Sequence, residues 1–134
     1  MNQTTTNGII ATGRRKTSVA RVRVVQGTGK VIVNDKDVNV YFNGLERHQR
    51  DAVRPLGLFS SSKAYDYIVI ANGGGITGQA GAISLGIARA LLKLEPNLKA
   101  SLRKEGLLTR DPRMVERKKS GQPKARKRFQ FSKR

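Results

Sequence analysis

YDYIVIANGGGITGQAGAISLGIARALLKL, residues 65–94, decides the architecture. Its opening run, Tyr65 to Ala71, is rich in aromatic and β-branched side chains and alternates only weakly, which predicts a strand in a central position of a sheet. Ile83, Ile87, Leu91 and Leu94 then recur at helical spacing. Around them Gly78, Ala80, Gly81, Ala82, Gly86, Ala88 and Ala90 keep the helix surface low, so this helix lies close against a sheet. Glu95-Pro96 ends it.

Upstream, Val19 to Val25 (VARVRVV) has the period of two of a half-buried strand, with Ala20, Val22 and Val24 on one face and Arg21 and Arg23 on the other. A strand over Ile9–Thr12 and a basic turn over residues 13–18 precede it. The glycines of Gln26-Gly27-Thr28-Gly29 predict a tight turn, and Lys30 to Val33 is expected to return as the antiparallel partner of 19–25. Asn34-Asp35 turns the chain again before Asp37 to Phe42. Asn43 and Glu46 have capping-box spacing, which predicts a helix from Gly44 to about Arg54, stopped by Pro55. Residues 57–63 read as a loop, Leu98 and Leu102 support a short helix up to Gly106, and from Leu107 onward the apolar signal fades.

The expected organisation is a flexible leader over residues 1–8, one globular body over 9–108 and an extended basic C-terminal arm over 109–134. Residues 117–134 (RKKSGQPKARKRFQFSKR) hold nine lysines and arginines and no acid. That single stretch carries half of the chain's net charge of +18. With only Ala125, Phe129 and Phe131 as apolar material, it cannot offset the entropy of ordering on its own, and its expected partner is a dense polyanion. Phe129 and Phe131, interleaved with cations, add stacking surfaces.

Across the 134 residues there are 27 Lys and Arg against 9 Asp and Glu, no cysteine and one histidine. Disulfides and thiolate metal sites are therefore excluded, and no ordinary Cys/His zinc cluster exists, so neither metal nor cofactor is expected. The start, MNQTTTNGII, lacks the features of a signal or transit peptide, and every apolar run is broken far short of a membrane span. The expectation is a chain that stays in the compartment where it is made and has no membrane partner.

Several constellations compete for a function. Gly73-x-Gly75-x-x-Gly78 follows a predicted strand, opens a predicted helix and has Glu95 about twenty residues on, as in a dinucleotide-binding fingerprint. Its acid, however, ends the same helical pattern and not a second strand, so a nucleotide-dependent enzyme is the rival reading. The other two readings of the glycines are a tight turn that brings helix and sheet together, and an RNA phosphate at the helix N-terminus. His48, among Arg47, Gln49 and Arg50, has no nucleophile or orienting partner in the sequence, and no carboxylate pair sits beside a pocket-like segment. Arg14, Arg15, Lys16, Arg21 and Arg23, with the hydroxyls of Thr17 and Ser18, suit phosphate and ribose contacts; protection of a strand edge by charge is the alternative.

Three blocks, GRRKTSVARVRV at 13–24, GGGITGQAGAISLGIARAL at 73–91 and LRKEGLLTRDPRMVERKKSGQPKARKRFQFSKR at 102–134, closely resemble the universal small-subunit ribosomal protein of the S-nine family in its bacterial and plastid form. The resemblance runs from about Ile9 to Arg134. It implies an α+β fold, a four-stranded sheet packed on helices with the left-handed β-α-β crossover of the second domain of ribosomal protein S-five. It also implies a structural constituent of the small ribosomal subunit with no catalytic residues and no small-molecule substrate. The implied partners are the 3′ major domain of small-subunit rRNA in the head, neighbouring head proteins and the peptidyl-site tRNA. The implied setting is the bacterial cytoplasm or the chloroplast stroma. On these grounds the rRNA-binding set is Arg14, Arg15, Lys16, Thr17, Arg21, Arg23, Arg110, Arg113, Arg117, Lys118, Lys119, Lys124, Arg126, Lys127 and Arg128. Lys133 and Arg134 are expected to touch tRNA, and Phe129 and Phe131 to stack. A free RNA chaperone remains a second rival.

Overall fold

A computed structural model of the chain describes residues 9–59, 62–113, 117 and 120–121. Strands β1 (Ile9–Arg15), β2 (Ser18–Gln26), β3 (Val31–Val33) and β4 (Lys36–Asp37) lead into two helices, α1 (Val38–Tyr41) and α2 (Glu46–Val53). Strand β5 (Tyr65–Asn72), helix α3 (Ile76–Leu94) and helix α4 (Lys99–Lys104) follow. The sheet has five strands in the order β1-β2-β5-β3-β4, so the expected four-stranded sheet is corrected by the addition of the short β4. Residues 57–63 are also not a plain loop, since short 3-10 turns occupy Arg54–Leu58 and Ser62–Ala64.

β5 does sit in the middle, antiparallel to β2 and parallel to β3. The expected hairpin between residues 19–25 and 30–33 does not form. β2 pairs instead with β1, and the first strand continues to Arg15, leaving only Lys16 and Thr17 as the turn. What draws the 26–30 segment away from β2 is Asp66, whose carboxylate accepts the backbone N–H groups of Thr28, Gly29 and Lys30 at 2.9, 3.1 and 3.0 Å. Asn34 then extends the β3–β5 pairing with its side chain: it donates to the Ala71 carbonyl at 3.0 Å and accepts from the Ala71 N–H at 2.9 Å. Asn34 and Asp35 both have positive φ, 49° and 67°, as a two-residue hairpin turn into β4 requires.

The expected capping box is also corrected. Asn43 adopts φ 53° and Leu45 occupies the cap position without a side-chain bond, so α2 starts at Glu46. Pro55 does end the α-helix, because the chain tightens there into the 3-10 turn.

Helices α1, α2 and α3 pack on one face of the sheet. Ala20, Val22 and Val24 of β2, Tyr67, Val69 and Ala71 of β5 and Ile83, Ile87 and Leu91 of α3 form one core with Phe42 and Ala52. The predicted close approach is made at Gly13 of β1: a Cβ there would lie 1.9 Å from the Ala82 carbonyl oxygen and 2.3 Å from the Gly86 nitrogen of α3. β1 is an edge strand, and α3 satisfies its outward carbonyls. Arg89 donates to the Thr12 carbonyl at 2.7 Å and Lys93 to that of Ile10 at 2.6 Å. Edge protection thus falls to α3 cations, and β2, with a strand on each side, has no edge for Arg21 and Arg23 to guard. Beyond α3, Leu102 and Leu107 pack on Ala88, and residues 109–113 return to the β1–β2 turn.

Candidate nucleic-acid interface

Strand alternation sorts the cations of β1 and β2. With Ala20, Val22 and Val24 buried, Arg21 and Arg23 stand on the face that carries no helix. Ladder register puts Ile10, Arg23, Ile68 and Ile32 side by side across four strands, and Thr12, Arg21 and Ile70 in the next row. Ile10, Ile68 and Ile70 are 43%, 37% and 50% exposed, so no described element covers this face. Arg23 stands between Ile10 and Ile68 in the ladder, with its Nε buried and unpartnered. The face is flat, aliphatic and cationic.

The turn between β1 and β2 gathers a second group. Lys16 takes φ 54°, and its carbonyl accepts from Arg110 at 3.5 Å. Arg15 points toward α3 and its side chain is only 19% exposed, while its Nη2 reaches Asp111 at 3.5 Å. Asp111 is held more tightly by Arg113, at 2.6 Å, and the Arg113 side-chain and backbone hydrogen bonds keep its carboxyl well below the usual carboxylate range. In return the Asp111 hydrogen bond raises the Arg113 guanidinium above its ordinary value. The structure therefore brings Arg14, Arg15, Lys16, Thr17, Arg110 and Arg113 together at one corner and sets Arg21 and Arg23 apart on the open face. Arg117 is exposed. Lys118, Lys119, Lys124, Arg126, Lys127, Arg128, Phe129, Phe131, Lys133 and Arg134 lie outside the described residues.

The glycine fingerprint has a structural use. Gly73 and Gly74 adopt φ 75° and 62°, and the Gly73 carbonyl accepts from Ser18 Oγ at 2.9 Å and from Gln79 Nε2 at 3.1 Å. A Cβ on Gly74 would lie 2.1 Å from Ser18 Oγ, so the loop is the seat of the β1–β2 turn. Among the described residues no strand follows α3; Glu95 caps its C-terminus and accepts from Asn97 at 3.0 Å, which removes the ribose-binding acid of a dinucleotide site. His48 stacks on Phe42 and lies 3.0 Å from Thr77 Oγ1, tying α2 to the first turn of α3. Burial pushes the Tyr67 phenol up to about 12, out of range for acid–base work near neutrality. Among the described residues no group of three His, Cys, Asp or Glu could hold a metal ion, and no helix is long and apolar enough to cross a membrane.

Arg47 and Arg54 are the cations that sequence reasoning missed. With Asp51 they form one face of the α2 end, and they lie across from Thr77, Gly81 and Ser84 of α3, beside Arg15 and Arg113. Their spacing of seven residues, two helical turns, was the available signal.

Comparison with known proteins agrees with this basic, non-catalytic surface. The family model described as "Ribosomal protein S9/S16" matches residues 13–134. The chain is 57% identical over 122 residues, 91% of its length and 94% of the relative's, to "Small ribosomal subunit protein uS9" of Chlorobium limicola. It is 53% identical over 126 residues, 94% of its length and 92% of the relative's, to the protein of the same name in Methylacidiphilum infernorum. The chain belongs to the ribosomal protein S9/S16 family, and is accordingly a structural ribosomal component and not an enzyme.

Proposed function

We propose that the chain is built into the head of the small ribosomal subunit, where it binds the 3′ major domain of small-subunit rRNA and extends its C-terminal arm to the peptidyl-site tRNA. The observation that carries this reading is family membership across residues 13–134, which takes in the body and the whole basic end. Body and arm divide at about residue 108, with residues 1–8 as leader, and the connection from β3 to the parallel β5 is the left-handed crossover. Arg14, Arg15, Lys16, Thr17, Arg21 and Arg23 meet phosphates and ribose from the body. Arg110, Arg113, Arg117, Lys118, Lys119, Lys124, Arg126, Lys127 and Arg128 line the route of the arm, Phe129 and Phe131 stack, and Lys133 and Arg134 form the tip. Neighbouring head proteins complete the surroundings, in bacterial cytoplasm or a plastid stroma.

The physical basis is counterion release. Each cation seated on a phosphate frees condensed ions, and an arm ordered only on contact fills crevices that a rigid globule cannot enter. Two measurements test the reading. The chain should sediment stoichiometrically with the small subunit in a fractionated lysate. Deleting residues 117–134 should flatten the salt dependence of RNA affinity by about three to four units, if about half of the nine cations meet phosphates. Absence from the subunit fractions refutes the placement, and an unchanged slope refutes the role of the arm.

A further inference from the structure

Between α2, α3, the β1–β2 turn and residues 106–113 lies a polar cleft of about 300 Å³. That is about ten times the space one water takes in the liquid, room for a phosphate and its ribose. Five arginines line it, Arg14, Arg15, Arg47, Arg54 and Arg113, against two aspartates, Asp51 and Asp111, so three positive charges remain uncompensated within the lining. The arginines arrive from three separate segments of the chain, and only the fold assembles them.

Arg15 is the pre-set member. Its guanidinium lies along α3 at Gly81, where a Cβ would fall 2.2 Å from Arg15 Cδ and 2.9 Å from Nη1. Its Nε is buried without a partner. Arg54 reaches Glu105 only at 3.4 Å and at an exposed position, and Arg47 makes no hydrogen bond or ion pair with any described residue. Arg15 Nη2 and Arg113 share the Asp111 carboxylate, so the open donors of the cluster are those of Arg47 and the weakly held Arg54; guanidinium groups gathered in this way match the forked geometry with which they bind phosphate oxygens.

We propose that this cleft captures one phosphodiester of the RNA backbone, with Arg15 as the fixed donor and Arg47, Arg54 and Arg113 closing on the free oxygens. The proposal rests on the rRNA-binding reading above and adds a site on the helical side of the body, where the start of the arm meets it and apart from the open sheet face. Ser84 and Thr109, which also line the cleft, place hydroxyls where a ribose would sit.

The test uses the full chain and a transcript of the 3′ major domain of small-subunit rRNA, with affinity measured across a salt series. Arg47→Gln and Arg54→Gln should each lower affinity about tenfold and flatten the slope by about 0.7–0.9. Arg50→Gln is the control for bulk charge: Arg50 lies on the same helix, is exposed and lies outside the cleft, and it should change affinity about threefold or less. Gly81→Ala separates binding from folding. Alanine is the better helix former and its methyl would displace the end of the Arg15 side chain and not backbone, so the thermal midpoint should hold or rise while affinity falls as in the glutamine variants. If wild type binds with a steep slope but Arg47→Gln and Arg54→Gln do no more than Arg50→Gln, the cleft is refuted and the rRNA reading stands. Salt-independent or absent binding by wild type refutes both.

Discussion

Gly13→Ala tests the packing that places the basic corner. The added methyl would start 1.9 Å from the Ala82 oxygen, 2.3 Å from the Gly86 nitrogen and 2.9 Å from the Gly86 Cα, all backbone atoms of one helix. Ordinary contact begins near 3.4 Å, so β1 and α3 must part by about 1–1.5 Å. Overpacking a core costs about 1–3 kcal/mol when side chains can shift, and here none of the three obstructing atoms can move without the helix. The separation would also loosen Ala11, which is buried in the core, and lengthen the Arg89 and Lys93 bonds to β1. A cost of about 3–5 kcal/mol follows, a large part of the roughly 5–15 kcal/mol that holds a domain folded. With a urea m-value of about 1.5 kcal/mol per molar, the midpoint should fall by about 2–3 M. Gly86→Ala, which meets the movable Val22 Cγ2 at 2.7 Å and the Gly13 nitrogen at 3.2 Å, should cost about 1–2 kcal/mol. Gly57→Ala, with open space around it, should be near neutral. Urea titration followed by circular dichroism measures all three. A Gly13→Ala cost below about 1 kcal/mol, or one smaller than that of Gly86→Ala, would refute the claim that β1 is locked to α3 backbone against backbone.

Two further outcomes follow from other parts of the chain. Asp66→Ala should cost about 2 kcal/mol and Asp66→Asn about half that, since asparagine keeps an acceptor for the three amides but loses its charge. The Lys30 and Thr28 backbone hydrogen bonds lead in lowering the Asp66 pKa below 3.8, so its stabilisation is complete above about pH 4 and is lost as pH falls through the folded pKa. Urea midpoints at pH 6 and pH 3 should therefore converge between wild type and Asp66→Asn, and a gap that widens in acid would contradict the assignment. Removing residues 132–134 should leave subunit assembly intact and weaken peptidyl-site tRNA binding by about 1–3 kcal/mol locally; equal affinity and reading-frame accuracy in reconstituted subunits would return Lys133 and Arg134 to ordinary rRNA contacts.

β5 and α3 were legible because each carries its own signal, a β-branched run and a stripe of isoleucine and leucine among small residues. Strand partnership was not. VARVRVV, a glycine-bearing turn and KVIV have the local form of a hairpin, and nothing within residues 19–33 says that Asp66, 36–38 positions away, will take the turn amides for itself. Similarly, Asn43 fits a cap by residue type, yet a left-handed φ there moves the helix start to Glu46. Site residues divide in the same way. Arg21 and Arg23 could be put on one outward face from alternation alone, whereas Arg47, Arg54 and Arg113 meet Arg15 only through tertiary packing.

The uneven distribution of acids gives these clusters their meaning. At an effective dielectric near 20, two unit charges about 8 Å apart repel by about 2 kcal/mol before salt screening. The cleft's excess of three positive charges, five arginines less two aspartates, therefore works against the free fold, and Glu105 beside Arg54 offsets only part of that strain. A fold selected for its own stability would put carboxylates opposite Arg47 and replace the flat isoleucine and arginine face of the sheet with neutral polar side chains. Among the described residues the charge is instead left open in two places, the cleft and the sheet face, and the sequence adds nine further cations at residues 117–134. Exposed pairs such as Arg54–Glu105 are worth about 1 kcal/mol at most, so they hold the free protein together without competing seriously with a polyphosphate chain. The described part of the chain thus carries more positive charge than its own acids offset, and RNA phosphate is the counter-charge that the proposed function supplies.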